Sequence, residues 1–442
     1  MTYTKIKELG RGGFGVVDEV EGVDGKRWAR KTFAPPTIPG ISEVDLRSRF
    51  EREVRYQGEI SHPNVVAIHE SDLRANPPWF VMELARGTLA DQLRNDGTLG
   101  GNPRKALFDI LNGLEAVHTK GFKHRDLNPK NILYFDGPPE RYAISDFGLM
   151  ALSVGQTTTL TATNAAGGTL NYQSPECAID FRRATTQSDI YSFGAILHDI
   201  FGRGARVPHT ELSVSGALGP VVEKCTKRNV HRRFKTVASL REELFRILST
   251  EILQFGSQRE EEVVNLLTSR DELTDDDWDR VFQQIDENNV HGLSNHAIFR
   301  SLKLDHLRAL AESAPGLFVA LGEGFANYAQ SRAFDFDYCD VVADKAGVFY
   351  SLGELDLKAL VTVAMLELGT SHNRWYVERK FIEMAGVGIE SALANRIRVE
   401  LEVQRVDFCS SVRHVEGSIS ANRRDLHPVL QALLSECPEE PA

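Results

Sequence analysis

A glycine-rich turn close to the N-terminus is flanked on both sides by segments with the character of β-strands. The turn is the run GRGGFG at residues 10–15, and residues 16–20 continue as a strand rather than as a helix. A dinucleotide-binding fold requires a helix directly after such a turn, so the sequence disfavours that fold. A glycine-rich hairpin fits better, because glycine lets backbone N–H groups approach phosphates without a Cβ in the way. We therefore expect this hairpin to cover the phosphates of a nucleotide.

The rest of the first 85 residues is rich in strands and contains one long helix. Three further segments are expected to be strands: residues 28–33, 65–68 and 79–82. Residues 42–60 have helical character, with Ser42 and Asp45 as a capping pair at the helix start. Beyond residue 87 the pattern changes to helices, as in residues 106–118, where apolar residues recur on one side.

Charge divides the chain into two unlike parts. The 442 residues are enough for two or three domains, and the net charge of -11 argues against a general nucleic-acid binder. Residues 1–250 hold 33 Lys and Arg against 29 Asp and Glu, a net charge of +4. The remaining residues hold 18 against 33, a net charge of -15. This asymmetry predicts two units with different roles.

Neither the cysteines nor the hydropathy indicates an extracellular or membrane protein. The five cysteines are Cys177, Cys225, Cys339, Cys409 and Cys437. Their number is odd and none form a C-x-x-C pair, so we expect reduced, mostly buried thiols. No apolar stretch approaches the ~20 residues needed to cross a bilayer. The N-terminal run MTYTKIKELG lacks the apolar region of a secretory signal. We expect a cytoplasmic protein without a membrane partner.

Two polar stretches carry a resemblance to a known family. Residues 124–131 read HRDLNPKN, and residues 145–148 read SDFG. With them, the chain closely resembles the protein kinases of eukaryotic type, including their soluble bacterial members. Further matches follow in order: the glycine-rich turn to Val17, Lys31, Glu53, His62-Pro63-Asn64, Met82-Glu83, Gly168-Thr169, Ser174-Pro175-Glu176, Asp189, Tyr191, Ser192, Gly194 and Arg233. Small-molecule kinases are disfavoured, because they usually lack the Ser-Pro-Glu segment and a glycine-rich loop of this form.

The resemblance implies an α+β, two-lobed protein kinase fold over residues 1–250. A small β-rich lobe would comprise residues 1–85, and a larger helical lobe would comprise residues 86–250. The implied reaction transfers the γ-phosphoryl group of ATP to a protein hydroxyl with Mg²⁺, or alternatively Mn²⁺. The sequence does not identify the protein substrate, and it indicates no nucleic-acid partner.

The resemblance also implies the roles of the reacting and metal-binding residues. Asp126 would accept the proton of the attacking hydroxyl. Asn131 and Asp146 would ligate the metal through oxygens, the ligand type that a hard cation prefers. Lys31 would hold the phosphates and Glu53 would orient it.

The ATP-contacting residues would come from the hairpin, the strands behind it and the segment that joins the lobes. They are Gly10, Gly12, Gly13, Phe14, Gly15, Val17, Ala29, Lys31, Glu53, Met82, Glu83, Leu84, Leu133 and Asp146. Val17, Ala29 and Leu133 would sandwich the adenine, and Met82 would lie at the back of its pocket. The backbone of residues 83–85 would hydrogen-bond the adenine edge.

Several further residues would support this site. Arg125 would pair with a phosphate on the loop between Asp146 and Glu176. The candidate phosphorylation sites on residues 149–174 are Thr157, Thr158, Thr159, Thr161 and Thr163. Glu176 should form a structural ion pair with Arg233, and Asp189 should brace the backbone of the catalytic loop.

One departure from the family pattern concerns the catalytic loop. Serine/threonine kinases usually carry Lys two residues after the base, where this chain has Asn128. Its cation is Lys130, four residues after the base, where tyrosine kinases carry Arg. Lys130 would supply the missing charge from that position, and otherwise catalysis should be slow. Thr169 stands where serine/threonine kinases position the acceptor. We therefore favour Ser/Thr specificity, with Tyr or dual specificity and a pseudokinase binding scaffold as alternatives.

The acidic part, residues 255–442, is predicted to form a mainly helical regulatory or recruitment domain, and it resembles no family we recognise. Thr274 is expected to cap one helix. Apolar residues recur at helical spacing over residues 357–368, with Gly369 expected to end that helix. Residues 391–408 fit a helix or a strand.

The function of this acidic domain is left open by the sequence. It would recruit substrate, inhibit the kinase, act as an effector or serve as the main target of phosphorylation. The opposite charges of the two parts suggest intramolecular docking, which salt should weaken. A basic and aromatic cluster at residues 373–380 belongs either to a helix with an aromatic core side or to a docking surface.

Overall fold

The chain forms two compact units, Met1–Leu248 and Ser249–Ala442. A computed structural model describes residues 3–12, 14–35, 37, 42–137, 139–147, 169–202, 204, 206–419 and 421–435, with the side chains of Thr169 and Phe181 left out. The two units are described separately below.

Within its described residues, the first unit begins with a five-stranded antiparallel sheet in the order β1-β2-β3-β5-β4. Its strands are β1 (Thr4–Gly12), β2 (Gly15–Glu21), β3 (Arg27–Phe33), β4 (Ile68–Asp72) and β5 (Trp79–Glu83). β1 and β2 form a hairpin whose last pair is Gly12 with Gly15, so the glycine-rich turn closes it. In the next two ladders Val17 pairs with Lys31 and Ala29 pairs with Met82.

A single long helix, α1 (Glu43–Gly58), is inserted between β3 and β4 and packs on the sheet. Ser42 caps it, because its hydroxyl accepts a hydrogen bond from the backbone N–H of Asp45 at 3.1 Å, and the predicted capping pair is confirmed. The ring of Phe50 lies 5.5 Å from that of Phe33 and 5.7 Å from that of Phe80. These aromatic contacts fix the helix over the strand that carries Lys31.

The remainder of the first unit is mainly helical, as predicted. Its described helices are α2 (Leu89–Asn95), α3 (Arg104–Thr119), α4 (Pro175–Ile179), α5 (Thr186–Phe201), α6 (Gly219–Cys225) and α7 (Val237–Leu248). A second, three-stranded sheet holds β6 (Gly87–Thr88), β7 (Ile132–Phe135) and β8 (Arg141–Ile144). This sheet places the residues before β7 and after β8 beside each other, because the two strands pair antiparallel.

Asn64 ties the loop after α1 to the end of β8. Its carbonyl accepts a hydrogen bond from Ile144 N at 2.9 Å, and its Nδ2 donates to the carbonyl of Tyr142 at 2.8 Å. On the other side, a Cβ at Gly113 of α3 would lie 2.4 Å from the Asn64 carbonyl. Only glycine fits there, so the helix, the loop and the strand are locked together just before Asp146.

The second unit is mainly helical in its described residues, with one isolated antiparallel β-bridge between Gly386 and Leu426. Its helices are α8 (Gln258–Ser269), α9 (Asp275–Val290), α10 (His296–Ser301), α11 (Leu304–Ser313), α12 (Pro315–Gln330), α13 (Tyr338–Leu352), α14 (Leu355–His372), α15 (Trp375–Ala385), α16 (Ser391–Val403), α17 (Phe408–Ile419) and α18 (Pro428–Leu434). Thr274 caps α9 through the backbone N–H of Asp277, as predicted. The ambiguous segment at residues 391–408 is helical over Ser391–Val403, and Phe408 begins the next helix.

The predicted end of α14 at Gly369 is wrong. The helix continues to His372 and ends at Asn373, which has the left-handed φ of 47°. Gly369 lies instead against α15, where an added Cβ would be 2.9 Å from Glu378 Cγ and 3.1 Å from its backbone N. The glycine is needed for close approach of two helices and not for a turn.

Two members of the basic and aromatic cluster at residues 373–380 belong to the interior of the second unit. Arg374 is buried and its Nε donates to Asp340 Oδ1 at 2.7 Å. The hydroxyl of Tyr376, also buried, donates to Asp344 at 2.5 Å. These contacts favour the packed-helix interpretation over a docking surface.

Of the four cysteines that the structure describes, one differs from the expectation. Cys177, Cys225 and Cys339 are free and buried, as predicted. Cys409 is disulfide-bonded, so the expectation of reduced thiols is wrong there. Among the described residues, a helix with the length and apolar character to cross a membrane does not occur.

Candidate active site

Lys31 of β3 is the centre of a cluster of charges in which Lys31 and Glu53 are buried and the side chain of Asp146 is 41% exposed. Its Nζ lies 3.1 Å from Glu53 Oε1 on α1 and 2.7 Å from Asp146 Oδ1, just after β8. Strand pairing with Val17 and Phe80 fixes its direction, and packing of α1 fixes Glu53. The structure therefore brings together three predicted site residues that lie far apart in the sequence.

The charges in this cluster affect one another. Burial alone would lower the pKa of Lys31, but the carboxylates of Asp146 and Glu53 outweigh it and the net shift is upward. Burial raises the pKa of Glu53. Lys31 therefore stays protonated at neutral pH and holds a fixed positive charge between Glu53 and Asp146.

The loop before β7 presents a carboxylate held by two amides. Asn131 Nδ2 donates one hydrogen bond to the Asp126 carbonyl at 2.8 Å and another to Asp126 Oδ2 at 3.0 Å. Asn128 Nδ2 donates to the same carbonyl at 2.9 Å. Removal from water raises the pKa of Asp126 to about 7, with Asp146 adding to the shift and the amide hydrogen bonds opposing it. A carboxylate with such a pKa is suited to act as a base near neutral pH.

Asp189 of α5 braces this loop from behind. Its carboxylate accepts hydrogen bonds from the backbone N–H of His124 at 2.9 Å and of Arg125 at 2.8 Å. Burial would raise the pKa of Asp189, but His118, at 2.8 Å, and these backbone donors hold it below its usual range. The ring of His124 lies 5.1 Å from that of Phe147, which is buried. The predicted brace by Asp189 is confirmed.

Apolar residues line the cleft between the two sheets. Val17, Ala29, Met82, Leu84 and Leu133 all belong to one hydrophobic cluster. The carboxylate of Glu83 is paired with Arg141. The backbone of Glu83 is therefore the polar group that residues 83–85 offer to a ligand. The cluster is a surface on which a flat apolar ring can stack.

The glycines of the hairpin have different surroundings. A Cβ at Gly15 would lie 2.7 Å from the carbonyl of Thr32, so this glycine is required by packing. Gly10 has no heavy atom within 4 Å of such a Cβ, and Gly12 has only the Gly15 carbonyl at 3.9 Å. Packing against the described residues does not explain these two glycines. Close approach of a phosphate would, because a backbone without side chains leaves room for it.

A comparison with protein families decides what this cleft belongs to. The sequence model of the family described as protein kinase domain matches residues 3–269, which is more than half of the chain. The chain belongs to the protein kinase domain family. Membership implies ATP and a divalent metal ion as cofactors, and the two-lobed arrangement of a β-rich part and a helical part predicted from the sequence is confirmed.

Individual kinases similar to this chain come from several bacteria. The probable serine/threonine-protein kinase PknB of Lactococcus lactis is 34% identical over 202 residues, covering 45% of this chain and 31% of the relative. The serine/threonine-protein kinase AfsK of Streptomyces coelicolor is 34% identical over 200 residues, covering 44% and 24%. PknB of Mycobacterium leprae is 31% identical over 233 residues, covering 46% and 36%. The matched part of this chain thus spans about a quarter to a third of the length of these relatives.

The kinase match ends at residue 269, within the first helix of the second unit, and not at the predicted boundary of 250. The helix α8 packs against α9 and α10 of that unit. The assignment of residues 1–250 and 255–442 as the two functional domains stays a prediction.

A bidentate ion pair closes the helical lobe of the kinase domain. Arg233 Nη1 and Nη2 donate to the two carboxylate oxygens of Glu176 at 2.7 and 2.8 Å. Ser188 donates to the same carboxylate at 2.7 Å. The predicted structural pair is confirmed. It anchors the segment that follows the candidate phosphorylation sites in the sequence.

Some predicted residues are not part of the described cleft. Gly13 and Thr157, Thr158, Thr159, Thr161 and Thr163 lie outside the described residues, as does the side chain of Thr169. Lys130 is described and exposed, at the surface end of the turn that follows Asp126.

Two residues that hold the site were not singled out by the sequence. His118, on α3, contacts Asp189, and Arg141 contacts Glu83. Both contacts join residues more than 50 positions apart, so spacing along the chain gives no signal for them. His118 lies on α3, a helix that was predicted only from the apolar residues that recur on one of its sides.

Proposed function

We propose that this protein is a kinase that transfers the γ-phosphoryl group of ATP to Ser or Thr hydroxyls of proteins with Mg²⁺. The observation that carries the proposal is the joint placement of Lys31, Glu53 and Asp146 beside a loop whose Asp126 has its pKa raised to about 7. Phosphoryl transfer requires positioned charges and a base more than covalent chemistry. The three bacterial relatives carry the name serine/threonine-protein kinase.

The donor set fits the group that the family implies. Asp146 and Asn131 offer carboxylate and amide oxygens, since the amide nitrogen of Asn131 is engaged with Asp126. Oxygen ligands of this kind suit Mg²⁺, and Mn²⁺ less specifically. When bound, the divalent ion would neutralise charge on the ATP phosphates. Lys31 would hold phosphate oxygens, and the apolar cluster would receive the adenine.

The reacting residues act on the acceptor hydroxyl. Asp126 takes its proton while the hydroxyl oxygen forms a bond to the γ-phosphorus. The bond between that phosphorus and the β–γ bridging oxygen breaks, and ADP leaves with the electron pair. Lys130 places a positive charge at the edge of the catalytic loop, in place of the family Lys that is absent at Asn128. Its exposure leaves it able to reach a bound substrate.

Control by phosphorylation is part of the proposal. Arg125 lies directly before the base, and its backbone is fixed by Asp189. A phosphate on one of the five candidate threonines would pair with its guanidinium. Autophosphorylation between residues 149 and 174 is therefore expected.

One experiment tests the proposal. Purified protein is incubated with Mg²⁺ and labelled ATP, beside an Asp126→Ala variant, and the phosphorylated residues are identified by mass spectrometry. Label on Ser or Thr that is absent from the variant supports the proposal, and label on Tyr would favour Tyr or dual specificity. Absence of transfer to the protein and to a panel of protein substrates, with ATP still bound, would favour a binding scaffold. Replacing Mg²⁺ by Mn²⁺ tests the metal.

Charge motivates a role for the acidic second unit. We propose that it regulates the kinase or recruits its substrate, in part through salt-sensitive attraction to the slightly basic kinase part. The comparison is between the activity of the full chain and that of residues 1–255, each at low and high salt. Equal activity in all four conditions would contradict docking.

A further inference from the structure

Asn128 occupies the position where the sequence departs from the family pattern, and it is not a surface residue. It is 3% exposed and has an extended backbone, with φ of -156° and ψ of 163°. Its Oδ1 accepts a hydrogen bond from the backbone N–H of Lys130 at 3.0 Å. In this way it caps the single helical turn Pro129–Asn131. The Asn128 side chain therefore points inward and forms its hydrogen bonds within the catalytic loop.

The other end of the Asn128 amide faces the base. Its Nδ2 donates to the Asp126 carbonyl at 2.9 Å and approaches Oδ1 of the Asp126 carboxylate at 3.3 Å. Asn131 donates to the same carbonyl and to the other carboxylate oxygen, Oδ2. The two amides thus hold one oxygen each. With both oxygens tethered, rotation of the carboxylate about its Cβ–Cγ bond is restricted.

We propose that Asn128 is a positioning residue that, together with Asn131, orients the carboxylate of Asp126 toward the acceptor hydroxyl. The inference rests on the proposed function, because the orientation matters only if Asp126 receives a proton. Asn128 does not replace the charge of the family Lys. Its side chain holds the base, Asp126, in place and brings no positive charge to the transferred phosphoryl group. The exposed Lys130 is the nearest cation in sequence that would supply that charge.

Two substitutions separate orientation from capping. Asn128→Ser keeps a hydroxyl that can accept from the Lys130 N–H, since Ser caps helical turns about as well as Asn. It is too short to reach Asp126. Asn128→Ala loses both contacts. Asn229 caps the turn Val230–Arg232 in the same way, through the backbone N–H of His231 at 3.0 Å, so Asn229→Ala is a matched loss of a cap away from the base.

The first readout is the pH dependence of kcat for the full-length protein. We expect both Asn128 variants to lose about ten-fold or more in kcat, with KM for ATP little changed, because the side-chain amide of Asn128 hydrogen-bonds to Asp126 and Lys130 among the described residues. The hydrogen bond from Asn128 lowers the pKa of Asp126, so its loss should move the acidic limb of the profile to higher pH. Asn229→Ala should leave kcat and the limb unchanged. Wild-type kcat and an unshifted limb in Asn128→Ser would overturn the inference and leave Asn128 as a cap only.

A second readout does not depend on activity. Crystal structures of the wild-type protein and of Asn128→Ser give the orientation of the Asp126 carboxylate about its Cβ–Cγ bond. A rotated or disordered carboxylate in the variant supports positioning, and an unchanged orientation overturns it. If the wild-type protein transfers no phosphoryl group, the proposed function fails while this comparison still decides whether Asn128 holds the carboxylate.

Discussion

The carboxylate of Asp189 accepts a hydrogen bond at 2.8 Å from the backbone N–H of Arg125, a residue whose φ is 68°. A residue other than glycine adopts this left-handed backbone conformation only when its surroundings impose it. The buried carboxylate imposes it here, because its other oxygen is engaged with His124 N and His118. Asp189 on α5 therefore fixes the backbone conformation of the residue that directly precedes Asp126.

Replacing Asp189 by Asn should therefore affect both stability and rate. The amide keeps one acceptor oxygen but turns an N–H toward a backbone N–H, leaving buried donors unpaired. We expect a loss of about 2–3 kcal/mol in the free energy of unfolding of the kinase unit. We also expect a fall in kcat, because the loop before Asp126 relaxes. Thermal unfolding and steady-state kinetics measure the two effects.

A matched substitution checks that the effect is specific. The side chain of Asp136 is 61% exposed, so Asp136→Asn should change the unfolding free energy by less than about 0.5 kcal/mol. Equal behaviour of Asp189→Asn and Asp136→Asn would show that the brace contributes nothing.

The Glu176–Arg233 pair predicts a pH-dependent contribution to stability. Burial alone would raise the pKa of Glu176, but Arg233 outweighs it and holds the pKa below its usual range. The pair therefore stabilises the protein above the carboxyl pKa of the unfolded chain, and its contribution is lost as pH falls through the lower folded pKa. Glu176→Gln should cost about 2–4 kcal/mol at neutral pH, because the guanidinium of Arg233 stays buried.

Denaturant unfolding at several pH values tests this sign. The gap between wild type and Glu176→Gln should narrow with acidification. The exposed pair of Glu243 and Arg246 is the control, and Glu243→Gln should cost less than about 1 kcal/mol. A gap that is constant or widens toward low pH would contradict the assignment.

The parts of the site that the sequence predicted well are those that local chemistry fixes. Lys31 lies in β3, Asp126 in the loop before β7 and Asp146 just after β8, and the short motifs that contain them are recognisable without a structure. Helix starts at Ser42 and Thr274 were also predictable, because a cap is a contact within one turn. In each case the information lies within a few residues along the chain.

Contacts between distant residues were not predictable from spacing. Asn64 joins a loop to β8, and Gly113 is required only because the Asn64 carbonyl lies against it. Gly369 shows the same difficulty: a glycine after an apolar run indicates either a helix end or a close approach, and only the position of Glu378 decides. In the sequence, Asn128 is noticeable only because the positively charged Lys of the family is missing at this position. Its hydrogen bonds to the Asp126 carbonyl and from the Lys130 N–H are visible only in the three-dimensional structure.

The proposed role of Lys130 leads to a kinetic prediction. Lys130→Ala should lower kcat by about ten- to hundred-fold while KM for ATP changes little, because a charge near the transferred group acts mainly in the transition state. Lys130→Arg should retain most of the rate. Lys120→Ala removes another exposed lysine, at the end of α3, and should have no effect.

The companion variant Asn128→Lys tests whether the family Lys can be restored. We expect it to lower kcat, because the buried cap and the contact to Asp126 are both lost. A higher kcat in Asn128→Lys, together with an unaffected Lys130→Ala, would show that Lys130 carries no catalytic charge.

Two helical glycines of the second unit should respond in opposite directions to the same substitution. At Gly347 of α13 an added Cβ meets no atom within 4 Å, so Gly347→Ala should stabilise the unit by about 0.5–1 kcal/mol through helix propensity. At Gly369 of α14 the Cβ would meet Glu378 Cγ at 2.9 Å and its backbone N at 3.1 Å. Because the backbone of α15 cannot yield without moving the helix, Gly369→Ala should destabilise the unit by about 1–3 kcal/mol despite the same gain in propensity. Thermal unfolding of both variants followed by circular dichroism gives the sign, and stabilisation by Gly369→Ala would refute the close approach of α14 and α15.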